Sequence, residues 1–278
     1  SGIMFVDAMK KLLLETRPYE VNPGETDRLY QDWLERLCRH IEGGGEPAAL
    51  AARCRRDFQG IKVDRSEFRP LVGIVGEIFI RCNEFTNNFI VRKIERLGGE
   101  ACLPAFEEWV NYIGWCRQQD GWSQRDLKRV FIEFLVSLVQ QREKQKVLAP
   151  FAGSVRKFFQ EAPSSEVIAL GRRYLHESIR GEAILSMGRV VEYARHGFDG
   201  VVNLHPFNCK PGTIVNALLT KFQADFDLPV LKVAYDGLEQ ATEMIRLEAF
   251  MHQCRQRGEA RRAADLQRRR ARVLVAAR

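Results

Sequence analysis

The segment Val201–Val215, VVNLHPFNCKPGTIV, constrains the possible folds more than any other stretch of this sequence. A short apolar run, typical of a buried strand, leads into a turn with two prolines and a glycine, and then into the start of a helix. Open α/β sheets bind their ligands where a strand ends and a helix begins. The segment therefore predicts a parallel sheet, with Cys209 at the edge where such sheets bind ligands.

Three other apolar runs extend the predicted sheet. Residues 69–82, RPLVGIVGEIFIRC, form a near-continuous apolar run that favours a buried parallel strand. A helix at 88–97 and a short strand at 101–104 complete a βαβ unit with it, and 230–234 adds a further strand. We expect an α/β fold with a small, doubly wound, mostly parallel sheet of about four strands.

Helical patterns and charge predict the rest of the organisation. Residues 1–65 form an N-terminal helical segment, and 66–254 form a Rossmann-like domain with a large helical insertion at about 105–196. Residues 255–278 form a basic tail whose nine arginines and two acidic residues account for the whole formal charge of +7. The rest of the chain balances to zero and the tail has no aromatic residue for base stacking, so no nucleic-acid partner is expected.

The composition also argues against several environments and cofactors. No apolar run reaches the roughly 18–20 residues that cross a bilayer and no secretory signal is present, so we expect a cytoplasmic protein without a membrane partner. The seven cysteines lie far apart, without a CxxC pair or zinc spacing, and are expected to be free thiols. Gly73 and Gly76 lie inside an apolar run and no GxxxxGK[ST] motif is present, so neither NAD nor ATP is expected to bind.

Cys209 is the strongest candidate for chemistry. It precedes a helix whose free N–H groups and dipole would favour a thiolate, and Gly212 would let a bulky ligand approach the backbone. The residues leave three roles open, namely metal ligand, nucleophile and buried packing residue. His205 lies four residues away as a base for a nucleophile, but no third group orients it, which makes that role the weakest of the three.

Polar residues at the end of the 69–82 run form a second candidate group. Glu77 interrupts an apolar strand, where a buried carboxyl group often carries out proton transfer. Its structural alternative is to pair with Arg81 or to cap a helix. Asn83, Asn87 and Asn88 follow; they would recognise a polar ligand or serve as hydrogen-bonding residues of a loop.

Eight blocks together resemble a known family: RPYE (17–20), GETD (24–27), GEIFIRCNEFTNNF (76–89), EEW (107–109), GE (181–182), DGVVNLHPFNCKPGTIVNALL (199–219), LPVLKVAYDG (228–237) and RLEAFMHQ (246–253). In this order they resemble the 2-hydroxyacyl-CoA dehydratase family, which includes the 2-hydroxyglutaryl-CoA dehydratase type and the acyl-CoA dehydratase activase-related proteins. The resemblance extends from Ile3 to about Cys254, and the PFNCKPG block is its most specific part.

The resemblance implies an activity, a cofactor and partners. Two Rossmann-like domains of such proteins hold a [4Fe–4S] cluster through cysteines from both, an ATP-dependent activator supplies an electron, and a 2-hydroxyacyl-CoA loses water by way of a ketyl radical. Cys209 would be the cluster ligand from the second domain. Glu77 would be the candidate catalytic residue, and the substrate crevice would be lined by Arg81, Asn83, Asn87 and Asn88.

The remaining cluster ligands of the family lie in upstream cysteine-containing loops that this sequence does not contain, and Cys82 and Cys102 are not assigned as ligands. The chain is therefore expected to be the C-terminal domain of a dehydratase-like or acyl-CoA reductase-like protein. It would be inactive in isolation, and a hydro-lyase once an upstream domain or second subunit completes it. One alternative is a non-catalytic module that docks the activator or a partner subunit through the helices at 105–196. Another is a small-ligand domain in which Cys209 only packs.

Overall fold

The computed structural model describes residues 1–156, 162–237 and 242–276. These residues divide into two compact units. The helical unit comprises Ser1–Glu67 and Cys102–Leu170, and the α/β unit comprises Phe68–Ala101 and Gly171–Arg278. In chain order the described residues form α1 (Gly2–Thr16), α2 (Glu25–Glu42), α3 (Ala48–Gln59), β1 (Leu71–Gly76), α4 (Ile78–Cys82), α5 (Ile90–Arg96), β2 (Glu100–Cys102), α6 (Glu107–Ser123), α7 (Leu127–Leu148), α8 (Ser164–Gly171), α9 (Glu182–Arg195), β3 (Gly200–Pro206), α10 (Lys210–Phe226), β4 (Val230–Tyr235) and α11 (Glu243–Ala276).

The helical unit is held together by aromatic and aliphatic side chains from its helices. Phe5 of α1 and Trp33 of α2 are buried in one cluster with Phe58 of α3 and Phe151, and the rings of Phe5 and Phe151 meet edge to face. Trp33 also donates a hydrogen bond from Nε1 to Asp57 at 3.1 Å, which satisfies its polar atom inside the apolar core. The helices at 105–170, expected as an insertion in the α/β domain, belong to this unit.

The α/β unit contains a four-stranded, all-parallel sheet in the order β2-β1-β3-β4. This confirms the predicted α/β fold with a small parallel sheet. The register pairs Val72 with Gly200 across β1 and β3, and Val201 with Val230 across β3 and β4. A Cβ on Gly73 would meet Tyr193 of α9, and one on Gly200 would meet Phe250 of α11, so helices cover both faces of the sheet.

The predicted strand over 69–82 is wrong in its second half. β1 ends at Gly76, and the apolar residues that follow form the short helix α4 instead. Gly76 has a φ of +120°, a conformation that stops the extended backbone and that side chains with a Cβ rarely adopt. Glu77 then caps α4 by accepting a hydrogen bond from the N–H of Ile80 at 2.8 Å.

The basic tail is part of the fold over much of its described length. It continues α11 without a break to Ala276, and its first arginines bind the α/β unit. Arg261 donates to the buried carboxylate of Asp199 at 2.8 Å, and the guanidinium of Arg262 lies 4.7 Å from the ring centroid of Phe68. In the described residues, no helix combines the length and apolar character needed to cross a membrane.

Candidate functional site at the carboxyl edge of the sheet

The carboxyl ends of β1 and β3 form the topological switch point of the sheet. From β1 the chain continues to β2 on one side, whereas β3 and β4 lie on the other, as the order β2-β1-β3-β4 shows. Crossover helices therefore leave in opposite directions, and the crevice between the two strand ends is where open α/β sheets bind their ligands. This geometry selects the residues that follow Gly76 and Leu204 as the candidate site.

Gly76 brings the two strand ends into direct contact. A Cβ at this position would collide with the backbone carbonyl of Leu204. The next residue, Glu77, donates its backbone N–H to that same carbonyl oxygen at 2.8 Å. Glycine is thus required for the chain to turn out of β1 while it stays bonded to β3.

Two carboxyl groups meet at the start of α4. Glu77 accepts from the N–H of Ile80, and Glu182, the first residue of α9, accepts from the N–H of Ile78 at 3.2 Å. Burial raises the pKa of Glu182, and the charge of Glu77 raises it further. The Ile78 hydrogen bond and the Arg81 guanidinium act in the opposite direction. The raised pKa keeps a proton on Glu182 to higher pH than on an ordinary glutamic acid, and a protonated carboxyl group can act as a general acid.

Arg81 places a positive charge beside the carboxyl pair. Its side chain lies in α4 and is buried, with 5% of the residue exposed. Its guanidinium acts on Glu182, where its positive charge lowers the pKa against the effect of burial. Of the two structural roles that the sequence left for Glu77, the structure shows the helix cap, and Arg81 acts on the second acid, Glu182.

The three predicted asparagines lie in the loop between α4 and α5. Asn83 accepts from the N–H groups of Phe85 and Thr86 at 3.1 and 3.2 Å. Asn87 is buried and donates from Nδ2 to the carbonyl of Ile80 at 2.8 Å. Asn88 has a left-handed backbone with a φ of +51°. The side chains of Asn83 and Asn87 thus fix the loop conformation, and contact of these residues with a substrate stays a prediction.

Cys209 lies at the N-cap position of α10, immediately beyond the end of β3. Its backbone N–H donates to the carbonyl of Pro206 at 3.1 Å, and its own carbonyl accepts from the N–H of Thr213 at 2.9 Å. The thiol makes no capping hydrogen bond and is half-buried. The turn therefore holds the cysteine backbone in place, while the sulfur stays available to a ligand at the helix N-terminus.

His205 is held in a buried polar network and does not act as a base for Cys209 in this arrangement. Asn203 donates from Nδ2 to Oδ1 of Asn216 at 2.9 Å, which leaves the amide nitrogen of Asn216 to donate to Nε2 of His205 at 2.7 Å. The other ring nitrogen, Nδ1, lies 2.9 Å from the carbonyl oxygen of Pro206 and donates to it. Both ring nitrogens of His205 thereby have partners.

Four exposed phenylalanines border the same edge. Phe79 lies in α4, Phe85 and Phe89 lie in or beside the following loop, and Phe207 lies in the turn after β3. Phe85 is 82% exposed and Phe207 is 66% exposed. Exposed aromatic side chains grouped around a candidate site are typical of a surface that another molecule covers.

The expected iron–sulfur cluster needs several side chains that converge on one place. Among the described ranges, 1–156, 162–237 and 242–276, no group of three or more His, Cys, Asp and Glu side chains is placed to hold a metal ion. Cys209 fits the role of a single thiolate ligand, but a complete cluster site does not fit on these residues. No chemical step can therefore be derived through a cluster bound by this chain alone.

Comparison with protein-family models, with curated proteins and with solved structures finds no match in any of the three. The resemblance to the dehydratase family accordingly stays a prediction that rests on the sequence blocks given above.

Glu182, the second acid of the site, was part of the GE block (181–182) of the family resemblance, but the sequence indicated no role for it. Its one local signal is Gly181, which has a φ of +117° and lets the chain enter α9 with Glu182 at its first position. The buried Asn203–Asn216–His205 network was also missed, because it joins a strand to a helix. A cavity of about 710 Å³ lies at the other edge of the sheet, beside Leu228, Pro229 and Arg257.

Proposed function

We propose that this chain is one part of an iron–sulfur-dependent, 2-hydroxyacyl-CoA dehydratase-like or acyl-CoA reductase-like protein. In this proposal the chain contributes one cluster ligand, Cys209, and part of the substrate crevice. An upstream domain or second subunit supplies the other ligands, and an ATP-dependent activator supplies the electron. The complete assembly is a hydro-lyase, whereas this chain in isolation is inactive.

The observation that carries the proposal is the composition of the carboxyl edge. A carboxyl pair, Glu77 and Glu182, follows β1, and a half-buried thiol, Cys209, follows the neighbouring strand β3. Loss of water from a 2-hydroxyacyl-CoA needs one group that accepts a proton from carbon and another that protonates the departing hydroxyl. In this proposal the two carboxyl groups supply both, with Glu182, whose pKa is raised, as the proton donor.

Arg81 and the position of Cys209 support the same assignment. The buried guanidinium places a positive charge beside Glu182, where it favours the negative charge that develops on the oxygens of an acyl-CoA substrate. Cys209 precedes the first residues of α10, whose N–H groups and dipole favour negative charge, as a cluster with thiolate ligands requires.

Cluster binding is tested in the natural full-length protein together with its partner subunit. Cys209→Ser is compared with Cys116→Ser, because both cysteines are free and half-buried. We expect Cys209→Ser to lose most of the bound iron and sulfide, as well as the visible absorption of the cluster. Cys116→Ser should keep them. Full iron content in Cys209→Ser contradicts the proposal, and so does a complete [4Fe–4S] spectrum from this chain alone.

A second candidate function is a non-catalytic module that docks the activator or a partner subunit. The four exposed phenylalanines at the carboxyl edge favour this alternative, because they offer an apolar surface to another protein. The same full-length variants separate the two candidates. Unchanged iron in Cys209→Ser, combined with loss of partner binding in Phe85→Ser, supports the docking module.

A further inference from the structure

Helix α7 packs against α6 through a row of mainly polar residues, the polar seam formed by Glu133, Ser137 and Gln140. A Cβ on Gly121 of α6 would meet Val130 of α7, and Lys144 of α7 forms an ion pair with Glu107 of α6 at 3.2 Å. Between these two contacts, the half-buried positions of α7 at helical spacing are Glu133, Ser137 and Gln140. The side of α7 that packs within the hairpin is therefore mainly polar, the reverse of an ordinary amphipathic helix.

The opposite side of α7 is apolar and exposed. One stripe consists of Leu127, Phe131, Phe134 and Leu138, whose exposed fractions range from 67% for Leu127 to 40% for Leu138. A neighbouring group of exposed apolar residues widens this surface: Ile132, Leu135, Val136 and Val139. Exposed Val110, Ile113 and Trp122 of α6 belong to the same hairpin.

The size of this surface matches a protein interface. Summed over these eleven side chains of the two helices, the exposed fractions correspond to on the order of 1,000 Å² of apolar surface. A stable interface buries about 800 Å² on each partner. The α6–α7 hairpin alone thus offers enough area for a specific contact.

The stripe has a palindromic pattern of residues, so a second copy of the same helix fits it as a partner. Its residues are separated by four, three and four positions, and their types read Leu, Phe, Phe, Leu in either direction. A two-fold axis near residues 132–133 would run α7 of two copies antiparallel. It would set Leu127 opposite Leu138 of the second copy, and Phe131 opposite Phe134 of the second copy. Alternating spacings of three and four are those of helix–helix seams.

The charges on α7 permit this arrangement. Between Val130 and Val139 the sequence contains a single charged residue, Glu133, and this residue lies on the seam that faces α6. Lys128 and Arg129 lie beside Leu127 at one end of the stripe, so the uncharged part of the seam is its centre, where Phe131 and Phe134 of the two copies would meet. From the palindromic stripe, its area and this charge pattern, we propose that the α6–α7 hairpin is the interface of a homodimer. This proposal does not depend on the proposed function.

The mass of the full chain in solution tests the proposal. Light scattering coupled to size-exclusion chromatography should give twice the 32.0 kDa chain mass for the wild type. Phe134→Glu should reduce it to 32.0 kDa, because the two-fold axis places the new carboxylate in the apolar seam twice. Leu266→Glu is the matched control, since Leu266 is a comparably exposed helical residue in α11. It should leave the mass doubled, and circular dichroism should show unchanged helix content in both variants.

Charge pairs test the direction of the two helices. Leu127→Lys alone and Leu138→Glu alone should each weaken the dimer. The double variant should restore it, because antiparallel pairing sets each new ammonium opposite a new carboxylate. A wild-type chain of 32.0 kDa throughout a dilution series overturns the proposal. A doubled mass in folded Phe134→Glu also overturns it, and a double variant that stays monomeric overturns the antiparallel seam.

Discussion

At the scale of single residues, the carboxyl pair of the site comes from distant parts of the sequence. Glu77 could be recognised because it interrupts an apolar run, whereas Glu182 reaches the same place only through folding. The backbone N–H of Ile78 and the carboxylate that it binds are 104 positions apart. No local sequence pattern indicates a partner at such a distance. The sequence predicted Arg81 as a possible ion-pair partner of Glu77, and it indicated no second acid.

The raised pKa of Glu182 makes a testable contribution to stability. Burial favours the protonated form of Glu182. The free energy that this adds to folding is fully present at pH values below the pKa of an unfolded glutamic acid. It is lost as the pH rises through the raised pKa of the folded state. In Glu182→Gln the neutral amide removes this dependence. Chemical unfolding over a pH series should therefore show wild type losing stability relative to Glu182→Gln as the pH rises.

Glu84→Gln provides the comparison for Glu182→Gln, because Glu84 lies in the loop after α4 and approaches Arg92 at 4.0 Å. It should not reproduce the trend. A difference between wild type and Glu182→Gln that stays constant across the pH series would show that the Glu182 proton is not coupled to folding.

The asparagines illustrate a second limit at the residue scale. The sequence left Asn83 and Asn87 as ligand-binding or loop-stabilising residues, and both roles need the same amide. The structure gives both side chains backbone partners, including the carbonyl of Ile80 for Asn87. Composition cannot separate these roles, because the difference lies in where the neighbouring backbone groups point.

At the scale of elements, apolar runs predicted the strands well but not the end of β1. A strand buried on both faces and a short buried helix have the same composition, so Ile78 and Ile80 continued the apolar run into α4. The change occurs at Gly76, whose positive φ and contact with Leu204 are set by the sheet. The glycine was visible in the sequence, but its conformation was not.

Gly76→Ala should destabilise the α/β unit by about 2–4 kcal/mol, because a Cβ is strained at this φ and collides with the Leu204 carbonyl. Gly114→Ala is the control, since a Cβ in the middle of α6 meets nothing within 4 Å. It should increase stability by about 0.5–1 kcal/mol through higher helix propensity. Urea unfolding measures both changes, and equal effects of the two substitutions would refute the structural role of Gly76.

At the scale of the whole molecule, the α/β class was predictable because strands buried on both faces read as apolar runs. The membership of the two units was not, because helices at 105–170 share a core with Phe5 and Trp33 at the start of the chain. The composition predicted the charge of the tail, but it did not predict which groups its arginines contact. Its arginines proved to include Arg261, which neutralises the buried Asp199.

The α/β unit has two candidate binding places for a ligand, one at each edge of the sheet. The carboxyl edge has Glu77, Glu182, Arg81 and Cys209, whereas a cavity of about 710 Å³ lies at the amino edge beside Leu228 and Arg257. In that second place Arg257 already bonds backbone carbonyls and Arg261 already binds Asp199. Chemistry and topology therefore favour the carboxyl edge over this cavity.

Hydrogen–deuterium exchange of the natural full-length protein, with and without a bound 2-hydroxyacyl-CoA, distinguishes these edges most directly. We predict slower exchange on binding in residues 77–89 and 205–213, with no change in residues 223–229 and 253–261. Protection confined to the second pair of segments would place the ligand at the amino edge and contradict the proposed site.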